Sequence, residues 1–366
     1  MNATSRREFF ARCLCCEPSA APARHPISRR AFVAGGMSAI GAGLSAFSPT
    51  SAGAQGAAKP HRIDVHHHIV PPVHAQALTS HRSTSPTKWS PAMSLEDMDK
   101  AGIATSITSI INPGVWFGKV DEESRTLARG CNEYAANLDR DHSGRFRSFA
   151  VIPLPDTEGS LREIEYSLDV LKAEGIALYS NYSGKYLGDP AFLPVFEELN
   201  RRKAVVYTHP TGSTCCVGMI KGVSEGTIET GTETTRTVAS LIFGEGGTAL
   251  RFPEIRWIWP HSGGTVPFLT SRFAQQTRVR PDPRMPNGPL PILQKFYYDV
   301  AQGNTPGQLA ALTKMVAASQ VMFGSDYPFR PGAEAVDGLV DFKFSDADLR
   351  AIETENALKM FPRLRT

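Results

Sequence analysis

The chain has 366 residues, 41% hydrophobic and 20% charged, an ordinary composition for a soluble globular protein. Its formal charge of +3 comes from one end: residues 1–54 hold six arginines and two glutamates, leaving 33 basic against 34 acidic residues in the rest. The body is therefore near −1 and has no basic stripe, which excludes nucleic acid as a partner.

The first segment reads as a targeting signal. Ser28-Arg29-Arg30-Ala31-Phe32-Val33 opens a run to Phe47 that is apolar and rich in Gly and Ala, and it ends at Ala52-Gly53-Ala54. Basic, apolar, then small-x-small is the order of a cleavable secretory peptide, and the paired arginines point to the twin-arginine export machinery. The expected division is a twin-arginine signal peptide over 1–54 and a mature domain over 55–366, with a periplasmic or secreted location. A membrane anchor fits less well, because the run is shorter than the roughly 20 residues a span needs. Ser5-Arg6-Arg7-Glu8-Phe9-Phe10 looks like a second copy, which an upstream start codon would explain. Cys13, Cys15 and Cys16 would leave with the peptide. The remainder, Cys131 with the vicinal Cys215-Cys216, is no disulfide framework.

From residue 62 onward, short apolar runs alternate with helical stretches eight times. The predicted strands are 62–66, 105–111, 146–153, 175–179, 204–209, 255–261, 296–300 and 320–326, and the helical stretches include 122–140, 161–172, 191–201, 234–250, 265–276 and 305–318, with 346–360 closing the chain. In 122–140, Leu127, Cys131, Tyr134 and Leu138 recur at helical spacing, and Asp121 and Thr305-Pro306 are cap signals. Strand–helix alternation predicts a parallel sheet, and eight repeats predict one (β/α)8 TIM barrel. The segments 73–92, 212–233 and 280–293, rich in Gly, Pro, Thr and Ser, read as loops that wall a pocket.

Four of the predicted strands end in imidazole or carboxylate: Asp64-Val65-His66-His67-His68, Thr208-His209-Pro210, Pro260-His261-Ser262-Gly263-Gly264 and Gly324-Ser325-Asp326-Tyr327. In a parallel barrel those ends meet on one face. His66 and His68 are two apart, so a strand turns both the same way, and His67 points away into structure. Any one of these signals is weak alone, since a lone strand-end His is commonly a satisfied core residue. Their joint order points to a metal site, and imidazole with carboxylate suits zinc.

The same segments carry a resemblance. From Arg62 to the C-terminus the chain resembles the amidohydrolase superfamily, in the branch of aminocarboxymuconate-semialdehyde decarboxylase and related aromatic-acid decarboxylases. Residues 63–72 and Glu233-Thr234-Thr235-Arg236 add a likeness to the 6-methylsalicylate decarboxylases. The resemblance implies one ion, usually zinc (Zn2+), with manganese (Mn2+) as the alternative. Its ligands would be His66, His68, His209 and Asp326, with His261 as the unligated acid/base and Asp326 sharing the proton chemistry. The binuclear members' lysine carbamate has no counterpart at Tyr179-Ser180-Asn181, which favours a single ion. Arg272 matches an arginine that crosses a dimer interface to a substrate carboxylate; a solvated helix charge is the competing reading. Arg236 and Trp89 are the other expected substrate contacts, although core packing competes for Trp89.

The implied activity is non-oxidative decarboxylation of a hydroxylated aromatic or related unsaturated carboxylic acid by a homodimer or higher homo-oligomer. Two alternatives stay open. One is a hydrolase of a lactone, ester or amide built on the same site. The other is a metal- or substrate-binding protein without turnover, which would need ligands but no unligated His261.

Overall fold

The computed structural model describes residues 60–365 except 213, 214 and 217, so the expected signal peptide lies outside the described residues. Eight parallel strands follow one another around the sheet: β1 Arg62–Ile69, β2 Ile103–Ile110, β3 Phe146–Val151, β4 Gly175–Tyr179, β5 Val205–His209, β6 Arg256–Trp259, β7 Tyr297–Asp299 and β8 Val321–Met322. The ends of the sheet meet through Val65 N–H donating to Phe323 O at 3.0 Å, Asp326 N–H to His66 O at 2.7 Å and His68 N–H to Tyr327 O at 2.7 Å. This is the predicted barrel.

The inside of the barrel is packed rather than hollow. Ile63, Val65, Ile107, Phe149, Val205 and Tyr207 belong to one buried cluster with Ala357, Met360 and Phe361 from the end of the chain. Phe149 stacks on Tyr207, with ring centroids 5.1 Å apart. The alternation of inward residues along short strands produces this core. It is a floor on which the polar residues at the strand ends rest.

The helices α1 Pro72–Ser80, α2 Pro91–Ala101, α3 Glu122–Asp141, α4 Thr157–Glu165, α5 Leu193–Arg201, α6 Glu225–Phe243, α7 Val266–Val279, α8 Pro306–Met315 and α9 Gly332–Phe342 account for most of the rest. Asp121 caps α3 by accepting from Ser124 N, as its position predicts. Several expectations need correction. Segment 73–92 is a loop only over 81–90, since α1 occupies its first part and α2 begins at Pro91. Pro91 at the first helical position and Ser90, whose side chain accepts from Met93 N, are the signals that mark α2. Helix α6 begins at Glu225 rather than at residue 234. Its first half is rich in Thr and Gly, which have poor helix propensity, and packing on the barrel overrides that preference. Strand β8 is two residues long, not seven. Beyond it the chain leaves the ladder to reach β1. Gly324 permits this: a Cβ there would lie 2.9 Å from His66 Cβ and 3.0 Å from Asp299 Cβ.

The last helical run, from Asp346 to Met360, seals the end of the barrel where the strands begin. Buried Glu353 accepts from Arg62 Nε at 2.7 Å and contacts His61 Nε2 at 3.0 Å. Asn356 Nδ2 donates to Val321 O at 2.8 Å, which ties the same run to β8. Replacing Glu353→Ala strands the Arg62 guanidinium, so stability should fall by about 2 kcal/mol. Urea unfolding checks this, and metal content should stay unchanged because the site is at the opposite end. An unaltered unfolding midpoint would contradict the anchoring role.

Candidate metal centre

The register of β1 against β2 slips between Asp64 and His67, where β1 carries one extra residue. Such a bulge re-aims side chains, and here it lies within the histidine run. His66 and His68 both turn into the barrel mouth, their Nε2 atoms 3.2 Å apart. His67 turns away, as expected. It is buried between Asp64 Oδ2 at 3.1 Å and Ser94 Oγ at 2.8 Å, with its ring stacked on Tyr327.

Asp326 meets these histidines from the last strand. Its Oδ1 lies 3.1 Å from both His66 Nε2 and His68 Nε2, and 3.9 Å from His209 Nε2. Its Oδ2 lies 3.3 Å from His261 Nε2. One carboxylate thus divides the four imidazoles, three on one oxygen and His261 on the other. Distance alone also admits a set of His66, His209, His261 and Asp326, whose ligand atoms lie within 4.8 Å of one another. The set with His68 is the one that the family resemblance implies.

The outer nitrogens decide what the inner ones can do. His66 Nδ1 faces Asp299 Oδ2 at 3.0 Å, and His209 Nδ1 faces Pro210 O at 2.8 Å. Both partners only accept, so both Nδ1 atoms donate and the Nε2 atoms keep their lone pairs. His68 Nδ1 lies 3.1 Å from Ser109 Oγ. His209 Nε2 and Asp326 Oδ1 are buried with no hydrogen-bond partner. Lone pairs brought together out of water require a cation, so the residues present fit a divalent metal. The electrostatics of the metal-free cluster show a demand for positive charge. Burial alone would depress His66, but Asp299 and Asp326 outweigh it and push it up to about 10. Burial holds His68 down at about 3 and His209 at about 4. Burial would raise Asp326, yet the charge of His66 and the neighbouring imidazoles of His209 and His261 hold it well below the usual carboxylate range.

Three supporting residues escaped the sequence reading. Asp64 Oδ1 accepts from His66 N and Ser325 N, each at 3.0 Å, and its Oδ2 accepts from Ser325 Oγ at 2.6 Å, so it pins β1 to the Asp326 loop. Asp299 joins His66 to the backbone of His261, accepting from His261 N at 3.1 Å through its other oxygen. Gln302 Nε2 donates to Asp326 Oδ2. Asp299 ends β7, so the strand-end rule that marked the other ligands would have found it too. His261, Ser262, Gln302 and Asp326 all adopt positive φ, at 55°, 56°, 48° and 64°. Non-glycine residues avoid that region, and here four of them surround one site.

A cavity of about 810 Å³ opens over His209, His261 and Asp326. Its walls come from α6, the start of α7 and the loop after Asp326, with Gly231 and Gly264 among the lining residues. A Cβ on Gly264 would lie 2.2 Å from Gly231 O, so the α6 and α7 walls meet only because that side chain is missing. Trp89, Arg236 and Arg272 are not among the residues lining this cavity. Trp89 Nε1 donates to Ser94 Oγ at 2.9 Å, and its ring packs against Val70, Leu78 and Ile111. Arg236 is held by Glu229 at 2.9 Å and by Glu233 at 2.5 Å. Buried Glu233 also accepts from Tyr186 OH at 2.9 Å and Asn181 Nδ2 at 3.2 Å, so it fills the end of β4. Arg272 is exposed on α7 and does not line the cavity of its own chain.

The chain is similar to known proteins. A family model described as Amidohydrolase matches residues 63–363. The chain is 34% identical over 332 residues to a protein named decarboxylase yanB from Aspergillus niger, covering 83% of this chain and 88% of that one. It is 32% identical over 317 residues to a 6-methylsalicylic acid decarboxylase from Penicillium expansum, covering 83% and 97%. A dihydroxybenzoic acid decarboxylase from Polaromonas, solved with bound manganese and the inhibitor 2-nitroresorcinol, superposes with a TM-score of 0.70 at 20% identity, covering 84% of this chain and 98% of that one. Strand-end histidines, shared aspartate, barrel and sequence match all lead to one statement: the chain belongs to the amidohydrolase family.

Proposed function

We propose that this protein is a metal-dependent carboxy-lyase that removes carbon dioxide, without oxidation, from a hydroxylated aromatic or related unsaturated carboxylic acid. The observation that carries the reading is the divided carboxylate of Asp326: Oδ1 turns to three bare Nε2 atoms, and Oδ2 to His261 beneath an open cavity. Two relatives at 32–34% identity are named decarboxylases, which supports the same reading.

His66, His68 and His209 through Nε2, with Asp326 through Oδ1, would hold the ion. When bound, it supplies positive charge that grips the acid's oxygens and draws electron density from the ring. Three nitrogens and one oxygen suit zinc, which we propose as the resident metal. The manganese in the Polaromonas structure makes manganese the second reading.

The chain's own groups handle the proton. Expelling carbon dioxide directly would leave a bare ring carbanion. A proton passed from the His261 Nε2–Asp326 Oδ2 pair to the carbon bearing the carboxylate avoids that. The carbon–carbon bond then breaks, its electrons restore the ring, and carbon dioxide leaves. Gln302, bonded to Oδ2, and Asp299, bonded to His261 N, keep the pair oriented. We further propose that residues 1–54 direct twin-arginine export to the periplasm, on the motif, apolar run and cleavage site in the sequence. Fractionating cells that express the chain with Arg29 and Arg30 changed to Lys tests that.

Incubating metal-loaded protein with hydroxybenzoic acids should release carbon dioxide, while lactones and esters stay intact. Lactone or ester cleavage without carbon dioxide would replace this reading with the hydrolase. Stripping the metal with a chelator should abolish release, and zinc or manganese should restore it. His261→Ala should keep the ion but lower kcat roughly 10²- to 10⁴-fold, whereas His68→Ala should lose the ion by elemental analysis. Metal loss in His261→Ala with retention in His68→Ala would exchange the two residues' roles.

A further inference from the structure

The cavity over the ion site is almost without charge. Thr227, Ile228, Thr230 and Phe268 line one side, and Asn112 and Pro210 another. Among the described residues lining it, Arg330 is the only lysine or arginine. A site for carboxylic acids that offers a single fixed cation has put its anion recognition there.

Arg330 is four residues beyond Asp326, and its N–H donates to Asp326 O at 3.3 Å. Its backbone is thereby fastened to the loop that presents the metal-ligating carboxylate. The guanidinium is loosely engaged by contrast. Its acidic neighbour is Glu334, at 3.8 Å, beyond hydrogen-bond distance, and both side chains are about half exposed (54% and 55%). Arg236, the other arginine near this wall, is committed to Glu229 and Glu233. Arg272 could approach a substrate only from a second copy of the chain.

Building on the carboxy-lyase reading, we propose that Arg330, from the same chain as the metal ligands, is the specificity-determining residue that binds the substrate's carboxylate on entry. A planar fork of donors suits a carboxylate, and a flexible half-exposed arginine can follow the group toward the ion. The assignment also limits the substrate class. With one fixed cation besides the ion, the site favours a monocarboxylic acid over a dicarboxylic one. In the proton-transfer step the carboxylate is still attached, so the contact holds the bound acid and the transition state alike, and the effect belongs in KM and not in kcat.

The test compares each acid with its own decarboxylated phenol, using full-length, metal-loaded protein. Salicylate with phenol and 2,6-dihydroxybenzoate with resorcinol are the probe pairs, measured by calorimetry. Wild type should prefer the acid. Arg330→Met should lose that preference by on the order of tenfold, Arg330→Lys should recover part of it, and phenol affinity, metal content and the circular dichroism spectrum should not move. KM for a turned-over acid should rise by the same factor at constant kcat. If Arg330→Met keeps the wild-type preference, the proposal is overturned. It is equally overturned if Arg272→Met, and not Arg330→Met, removes the preference, which would place the anion contact across an interface between copies. Because the affinities need no turnover, a wild type that binds acids but releases no carbon dioxide would sink the carboxy-lyase reading and leave the Arg330 contact standing.

Discussion

Everything at this site follows from lone pairs held where water cannot reach them. His66 and His68 are fully buried, and their outer nitrogens are engaged by groups that leave the inner ones facing Asp326. Such an arrangement is costly unless positive charge fills it. The carboxylates of Asp299 and Asp326 show the same demand for positive charge, pushing the His66 pKa up against its burial. A divalent ion would meet that demand at all of the inner nitrogens at once. The fold supplies the counterforce: a packed hydrophobic floor below, and the seam between β1 and β8 alongside.

The supporting carboxylates are shared rather than dedicated. Asp64 holds the backbone of His66, the ring of His67 and both donors of Ser325. Asp299 holds the ring of His66 with one oxygen and the backbone of His261 with the other. Positive φ at His261 and Asp326 is tolerated because these bonds over-determine the loops. A change at either aspartate therefore reaches several functional groups at once, while a change in the cavity wall reaches one. Machinery and selectivity are separable on this scaffold, as the variety of chemistries on barrels requires.

Much of this could be read before any coordinates. His209, His261 and Asp326 were legible because β-branched and aromatic runs stop at or shortly before them, and a parallel barrel turns sequence order into proximity. His67 was legible as structural from alternation alone. Asp299 was not, because the predicted strand 296–300 ends at Val300 and leaves the aspartate inside the run, and Asp64 reads as part of its strand. Helix α6 was misjudged over its first nine residues, where Thr and Gly obscure a helix made by packing. The cavity wall was least legible. Trp89 and Arg236 have the right chemistry for ligands, but their partners are set by the fold, and nothing local announces that Ser94 or Glu233 will claim them.

The seam between the first and last strands has a consequence for biosynthesis. Three of the four proposed ligands are in place by residue 209, yet the fourth arrives only at 326, on the strand that closes the circle. A nascent chain emerging in order cannot assemble the centre until almost all of it has been made. Capture of the ion therefore reports that synthesis is finished and the ring has shut, so a truncated or misfolded product is marked by its failure to hold metal.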